Sequence, residues 1–122
     1  MSKILCIDDD SDVRNLLEKI LTDAGHTVTT AGDGRQGIAE ARKNKPNLIL
    51  LDVMMPQIDG FKVCSQLQAD KETAYIPIIF LTALDGQEER ANALAAGAVD
   101  YLAKPVQKES LLAKVEEQLK RI

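Results

Sequence analysis

Short apolar runs alternate along the chain with longer segments in which apolar residues recur every three or four positions. Three of the runs, at residues 4–7, 48–51 and 78–81, are uninterrupted, which is typical of strands buried on both faces. Residues 27–31 are rich in β-branched side chains, and residues 99–103 form a shorter run. The pattern therefore predicts five strands.

The segments between the strands have the spacing of amphipathic helices. In the first helix Asp10 or Ser11 can cap the start, and Gly25 suits the position just after the end; its apolar residues at helical spacing are Val13, Leu16, Leu17, Ile20 and Leu21. The core-facing residues predicted for other helices are Ile38 and Ala41 in the second, Phe61, Cys64 and Leu67 in the third, and Leu111, Leu112, Val115 and Leu119 in the fifth.

Breaking and capping residues mark the ends of the later helices. Pro46 stops the second helix, which should reach about residue 44, and Asp59 caps the third. Gly97 closes a fourth helix over residues 87–96, and a fifth runs from about residue 107 to the end of the sequence. Five β-α units in a row predict an α/β fold with a parallel sheet and helices on both faces. Residues 1–122 are expected to form a single domain.

The composition excludes several classes of protein. Hydrophobic residues make up 45% of the chain and charged residues 28%, so we expect a folded domain and not a disordered tail. A net charge of −4 with two tyrosines, two phenylalanines and no tryptophan disfavours direct nucleic-acid binding. The sequence has no signal peptide and no apolar run long enough for a transmembrane helix, which predicts a cytoplasmic protein with no membrane contact. Cys6 and Cys64 lie in apolar surroundings and are expected to be reduced core residues.

Polar residues suited to chemistry follow four of the five strands. Asp8 and Asp9 follow the first strand, Asp52 the third, Thr82 the fourth and Lys104 the fifth. In an open α/β sheet the ligand site lies beyond the carboxyl ends of the strands, so the three carboxylates converge if the first and third strands are neighbours. They then need counter-charges: Lys104 supplies one, and an all-oxygen site with room for water suits Mg²⁺. A carboxylate beside Mg²⁺ and a lysine can attack phosphorus and form an aspartyl phosphate.

A simpler interpretation applies to other polar residues, because an aspartate at a strand-to-helix junction is commonly just a helix cap. What distinguishes the first set is that four strand ends each carry a needed group. Asp52 also directly follows four aliphatic residues, where a charge without a task is costly. The aspartates interpreted as caps or as solvated side chains are Asp10, Asp12, Asp33, Asp59 and Asp85.

At this set of positions the sequence resembles the receiver domain of two-component response regulators. The matching motifs span almost the whole chain in the family's order and spacing. The resemblance implies a flavodoxin-like, doubly wound fold of five β-α units with strand order 2-1-3-4-5, and a role in two-component phosphorelay signalling. The motifs are Ile7-Asp8-Asp9-Asp10, Leu51-Asp52-Val53-Met54-Met55-Pro56, Asp59-Gly60, Leu81-Thr82-Ala83 and Tyr101-Leu102-Ala103-Lys104-Pro105.

The resemblance also implies a role for each site residue. Asp52 is similar to the phosphoacceptor. The carboxylates of Asp52 and Asp9 are similar to direct Mg²⁺ ligands, with Asp8 acting largely through water. The backbone carbonyl of Met54 is similar to the remaining protein ligand, and Lys104 to the lysine that contacts the phosphoryl group.

A switch pair is implied as well. Thr82 would move towards the phosphoryl group while the Tyr101 ring turns inward. This movement would bias the packing of the fourth helix, fifth strand and fifth helix, and so change a surface that binds a partner. Ala83 would leave room for phosphate entry, and the bond between Lys104 and Pro105 is expected to be cis.

The implied partners are a sensor histidine kinase or phosphotransfer protein as donor and a downstream effector protein or domain. A homodimer that forms on phosphorylation is a further expectation. The domain would catalyse only its own phosphorylation and dephosphorylation. Met54 and Leu84 occupy the positions that tune dephosphorylation in the family, and since neither can orient water, a long-lived phosphoryl group is predicted. Val106 stands where phenylalanine is common, so the chain is not assigned to the DNA-binding branch.

Two alternatives remain open. A Mg²⁺-dependent phosphohydrolase would use Asp8 as nucleophile and Asp10 as acid and base, in loose resemblance to the haloacid dehalogenases, but it would leave Asp52 without a role. A receiver fold that no longer accepts phosphate would serve only as an interaction module. Replacing Asp52 separates a receiver from the hydrolase, because only the receiver would then lose all phosphorylation.

Overall fold

The computed structural model describes residues 2–55, 59–83 and 87–120, except for the side chain of Glu89. Five strands lie within these ranges: β1 Lys3–Ile7, β2 Thr27–Ala31, β3 Leu48–Asp52, β4 Ile78–Thr82 and β5 Asp100–Ala103. They form one parallel sheet in the order β2-β1-β3-β4-β5, which confirms the predicted fold class and strand order. The fifth strand begins one residue later than predicted.

Helices alternate with the strands, as the periodicity predicted. They are α1 Ser11–Asp23, α2 Gly34–Asn44, α3 Gly60–Ala69, α4 Gln87–Ala95 and α5 Lys108–Lys120. Asp10, Asp33 and Asp59 each accept a hydrogen bond from a backbone N–H in the first turn of α1, α2 and α3, which confirms that they are caps. Gly25 and Gly97 follow α1 and α4 with φ values of 97° and 102°, the left-handed conformation that favours glycine at a helix end.

Alternate residues of each strand face two separate apolar layers. In β1, Leu5 and Ile7 join residues of α2, α3 and α4 in one layer, whereas Ile4 and Cys6 join residues of α1 and α5 in the other. β3 and β4 are buried along their whole length. Burial on both faces explains why these strands have uninterrupted apolar sequences, and it holds their carboxyl ends in fixed positions.

Two apolar residues lie at the surface instead of on the predicted core-facing side. Leu16 is 45% exposed and Phe61 is 40% exposed. In α1 Leu16 lies at the edge of the buried stripe, about 100° around the helix from Leu17; the stripe itself is formed by Leu17, Ile20 and Leu21. In α3 the buried stripe passes through Val63, and the ring of Phe61 instead packs edge-on against Phe80, with 5.2 Å between ring centroids.

Both cysteines have the environment that the sequence predicted. Cys6 is fully buried in β1, and Cys64 is fully buried in α3, where its thiol donates to the carbonyl oxygen of Ala96. Burial raises the pKa of both thiols, that of Cys64 to about 11, so they stay protonated at neutral pH. Among the described helices none is long and apolar enough to cross a bilayer.

The start of α3 lies directly against the end of β3 because Gly60 has no side chain. A Cβ at this position would overlap the carbonyl oxygen of Asp52 and lie 2.5 Å from the Cα of Val53. The Gly60 N–H donates to the Val53 carbonyl at 2.9 Å. Close packing of α3 therefore fixes the backbone on which Asp52 is mounted.

Candidate functional site

The strand order brings the four polar strand ends to one edge of the sheet. β1 pairs with β3, so Asp8 and Asp9, which follow Ile7, come beside Asp52, the last residue of β3. β4 pairs with β3 on its other side and ends at Thr82. β5 pairs with β4, and Lys104 follows it. The parallel topology is therefore what makes residues far apart in sequence into one site.

Three carboxylates form the centre of this site. Asp8, Asp9 and Asp52 each offer an oxygen, and these oxygens all lie within 4.8 Å of one another. Asp8 is fully buried and Asp52 is 2% exposed, whereas Asp9 is exposed. Backbone amides hold the two buried groups: the Asp10 N–H donates to Asp8 Oδ1 and the Met54 N–H to Asp52 Oδ1, both at 3.0 Å.

Lys104 lies between the two buried carboxylates. Its Nζ is 2.9 Å from Asp8 Oδ2 and 3.4 Å from Asp52 Oδ1. Burial on its own would lower the pKa of this ammonium, but the hydrogen bond and charge of Asp8 and the charge of Asp52 outweigh it, so the pKa is raised. Lys104 is therefore a permanent cation near neutral pH, in contact with both acids.

Asp52 is the carboxyl group whose ionisation the site opposes. Burial raises its pKa to about 6 from an ordinary value of 3.8, and the negative charge of Asp8 acts in the same direction. The Met54 N–H and Lys104 act against this rise without cancelling it. One lysine therefore does not fully compensate the acid cluster, and a further cation would favour the charged form of Asp52.

The donor set fits a magnesium ion. Asp8 Oδ2 is a buried carboxylate oxygen, and its one ion pair among the described residues is with Lys104 at 2.9 Å. Carboxylate oxygens are hard ligands, and the exposed Asp9 leaves one side open to water, as Mg²⁺ prefers. Asp8, Asp9 and Asp52 are the residues that could hold it.

The remaining predicted residues lie around this centre. Thr82 is 5% exposed, and it pairs in register with Ala103, the residue before Lys104. Tyr101 is half-buried on β5, and its ring centroid is 5.8 Å from the Nζ of a lysine on α5. The peptide bond between Lys104 and Pro105 is cis, as predicted.

Two residues near the site have positions that bear on its chemistry. The side chain of Met54 is 73% exposed, beyond the end of β3. Asp10, the acid and base of the hydrolase alternative, accepts the Asp12 N–H at 2.9 Å as the cap of α1. Leu84, predicted to flank the site, and Asp85 lie outside the described residues.

A family described as response regulator receiver domain matches the chain over residues 4–116. The chain belongs to this receiver family. Its function is phosphorelay signalling, in which response regulators act together with histidine kinases and effector domains. The predicted family and signalling role are thereby confirmed. The chain is a signalling domain of the receiver family, which was the first of the functions considered above.

Relatives of this receiver domain include proteins of different length. It is 44% identical to the DNA-binding dual master transcriptional regulator RpaA of Synechocystis sp. over 121 residues, which are 99% of this chain and 50% of RpaA. It is 46% identical to the response regulator PleD of Caulobacter vibrioides over 115 residues, which are 93% of this chain and 25% of PleD. The chain thus spans half or less of the length of these two relatives.

A solved structure of similar size is the chemotaxis protein CheY4 of Vibrio cholerae. It superposes on this receiver domain with a TM-score of 0.90 and 34% sequence identity. The match covers 96% of this chain and 98% of CheY4. The whole described fold therefore corresponds to a receiver domain.

Two basic residues, one beside the acid cluster and one beside Tyr101, make contacts that the sequence did not predict. Arg14, in the first turn of α1, donates from Nη1 to the carbonyl oxygen of Asp8 at 2.7 Å. Lys114 of α5 pairs with Asp100 at 2.9 Å, and it is the lysine that lies over the Tyr101 ring. The sequence carries no specific signal for the Arg14 contact, because the partner is a backbone carbonyl and not a particular side chain.

Proposed function

We propose that this domain accepts a phosphoryl group on Asp52 from the phosphohistidine of a sensor histidine kinase or phosphotransfer protein, in a reaction that requires Mg²⁺. One observation carries the proposal: Asp52 lies 2% exposed at the end of a central strand, within 3.4 Å of Lys104 and among two further carboxylates. We propose that residues 1–122 act as one receiver domain, in the cytoplasm.

Each site residue has a defined task in the transfer. An ionised Asp52 oxygen attacks phosphorus; the new P–O bond forms as the P–N bond to the donor imidazole breaks, and the imidazole nitrogen keeps the electron pair and takes up a proton. Lys104 stabilises the charge on the transferred oxygens, as its contact with both buried acids supports. Asp8, Asp9, Asp52 and the Met54 carbonyl would hold Mg²⁺, which neutralises phosphoryl charge when it is bound.

The product would act as a switch. Phosphorylation replaces a buried carboxylate of one negative charge with a group of about −1.5 to −2 and three acceptor oxygens. Thr82, at the end of the adjacent strand, would hydrogen-bond to that group, and the ring of Tyr101 would move inward. The surface formed by α4, β5 and α5 would then bind an effector protein or domain, or a second copy of this chain.

The phosphoryl group is expected to last. Met54 beside the site has a thioether side chain, which cannot hold an attacking water by a strong hydrogen bond. We expect slow loss of phosphate from the isolated protein after the donor is removed, measured by intact-protein mass at timed intervals. Loss as fast as in the chemotaxis regulators would contradict this part of the proposal.

Intact-protein mass after incubation with acetyl phosphate tests the central step. The wild type should gain one phosphoryl group in MgCl₂ and none in EDTA, whereas Asp52→Asn should gain none. Asp33→Asn is a matched control, since Asp33 is an exposed cap that asparagine can replace, and it should behave as the wild type. A folded wild type that gains nothing in MgCl₂, from acetyl phosphate or from a phosphohistidine donor, would support the phosphate-independent module instead.

A further inference from the structure

The geometry points to Arg14 as a positioning residue of the magnesium site: its guanidinium fixes the peptide that joins Asp8 to Asp9. This inference rests on the proposed function, because the ion it concerns is the one proposed there. Arg14 is not itself assigned a contact with the metal or with the phosphoryl group. It acts through the backbone that carries two of the three carboxylates.

The contact is a charge-assisted hydrogen bond to the middle of the acid pair. Arg14 Nη1 donates at 2.7 Å to the carbonyl oxygen of Asp8, which belongs to the peptide linking Asp8 and Asp9. The Asp8 N–H is held by the Ala31 carbonyl at 3.1 Å, and its side chain by the Asp10 N–H and Lys104. Arg14 therefore holds the carbonyl group of Asp8, on the side of the residue that leads to Asp9.

The neighbouring loop leaves space for the guanidinium. A Cβ on Gly32, which follows β2, would lie 3.3 Å from Arg14 Nη1 and 3.7 Å from its Cζ. The Gly32 N–H donates to the side-chain oxygen of Gln36 at 2.9 Å, so this loop is itself held by α2. The guanidinium thus lies between the loops that follow β1 and β2, where a longer side chain at residue 32 would crowd it.

The positive charge of Arg14 allows a test, because the direction of the change in metal affinity on its removal depends on what Arg14 does. Arg14 is half-buried and forms no ion pair with any carboxylate that the structure describes. Its positive charge beside the acid cluster repels a cation, so by Coulomb's law alone its removal would strengthen metal binding. If its role is to hold the peptide, removal weakens binding instead. The two explanations predict opposite changes.

The experiment compares metal affinity in the whole chain and in three variants: Arg14→Met, Arg14→Lys and Arg35→Met. The probe is MnCl₂, titrated with detection of free Mn²⁺ by electron paramagnetic resonance and then displaced by MgCl₂. Arg35 is an exposed arginine in the first turn of α2, so Arg35→Met controls for the loss of one positive charge. Far-UV circular dichroism in EDTA verifies that each variant is folded.

We expect Arg14→Met to weaken binding about tenfold, the size seen when a group that orients a metal ligand is removed. Arg14→Lys, which keeps the charge and one donor, should recover part of that loss, and Arg35→Met should stay within about twofold of the wild type. Equal or tighter binding by folded Arg14→Met overturns the inference. If Arg14→Met does not fold, Arg14→Lys decides: weaker binding supports the role, and wild-type binding overturns it.

The same titration separates this inference from the proposed function. A wild type that binds neither ion overturns both. A wild type that binds while folded Arg14→Met binds equally well overturns only the role of Arg14. Phosphorylation of Asp52 from acetyl phosphate in the wild type would then still stand.

Discussion

Replacement of Asp52 by asparagine should stabilise the metal-free protein at neutral pH. The buried carboxylate lies beside Asp8 with Lys104 as its contacting cation, and its pKa is raised from 3.8 to about 6. Asparagine has almost the same shape, and its amide oxygen can still accept the Met54 N–H. The variant therefore removes the opposed charge and keeps the hydrogen bond.

The pKa shift sets the size of the effect. A difference of about two pKa units corresponds to about 3 kcal/mol, at 1.36 kcal/mol per unit. Lys104 is 23% exposed, so water reaches the edge of the pair and screens part of this interaction. We therefore expect Asp52→Asn to raise the free energy of unfolding by about 1–3 kcal/mol at pH 7.5.

The sign of the pH dependence follows from proton binding. Because the pKa of Asp52 is raised, the folded state holds its proton more tightly than the unfolded state does. Its contribution to stability is present below pH 3.8 and is lost as the pH rises through about 6. Asparagine does not titrate, so the advantage of the variant should be small at low pH and should grow across this window.

Urea denaturation in EDTA, followed by far-UV circular dichroism, measures the effect at pH 4.5, 6.0 and 7.5. Asp23→Asn is a control at an exposed carboxylate, which pairs with Lys19 on the surface and should change stability by less than about 0.5 kcal/mol at each pH. A difference between Asp52→Asn and wild type that does not vary with pH, or a less stable variant at pH 7.5, would refute the electrostatic reasoning.

Three further substitutions test packing, hydrogen-bond and charge contacts of the domain, each by urea denaturation. Gly60→Ala should lower stability by about 1–3 kcal/mol, because its Cβ overlaps the Asp52 carbonyl; a neutral effect would mean that α3 can move away. Thr73→Val should lower it by about 1–3 kcal/mol, since a 1% exposed hydroxyl bonds to the Leu67 carbonyl at 2.7 Å; wild-type stability would refute that bond. Lys104→Met should lower the free energy of unfolding by about 1–3 kcal/mol, because it leaves two buried carboxylates without their cation. The pKa of Lys104 is raised, so the wild type loses the stability that this lysine contributes only as the pH rises above 10.5. A difference in stability between wild type and variant that stays unchanged above that pH would contradict the assignment.

The strands and helices could be predicted because their main determinants are local, whereas the strand order was implied by the resemblance to receiver domains. β3 and β4 are uninterrupted apolar runs, and the caps Asp10, Asp33 and Asp59 mark where helices begin. Such signals lie within a few residues of the structure that they specify. The two apolar residues that were predicted on the wrong side are Leu16 and Phe61. Leu16 is followed directly by another apolar residue, and the ring of Phe61 packs at the edge of the core.

The candidate site could be predicted in part for a different reason. The parallel topology requires strand ends to meet, so Asp8, Asp9, Asp52 and Lys104 were expected together once the strand order was known. Arg14 was not expected, because its contact with a backbone carbonyl leaves no residue-type pattern in the sequence. Long side chains that bond to backbone atoms depend on exact loop geometry, and this geometry emerges only when the strands and helices are assembled.

The location of the phosphoryl group tests the central claim most directly. Borohydride reduces an aspartyl phosphate to homoserine, so treatment after reaction with acetyl phosphate and MgCl₂ marks the modified residue, and peptide mass spectrometry identifies it. We predict homoserine at position 52 and aspartate at positions 8 and 9. Homoserine at position 8 or 9, with Asp52 unmodified, would contradict the assignment of Asp52 as the phosphoacceptor.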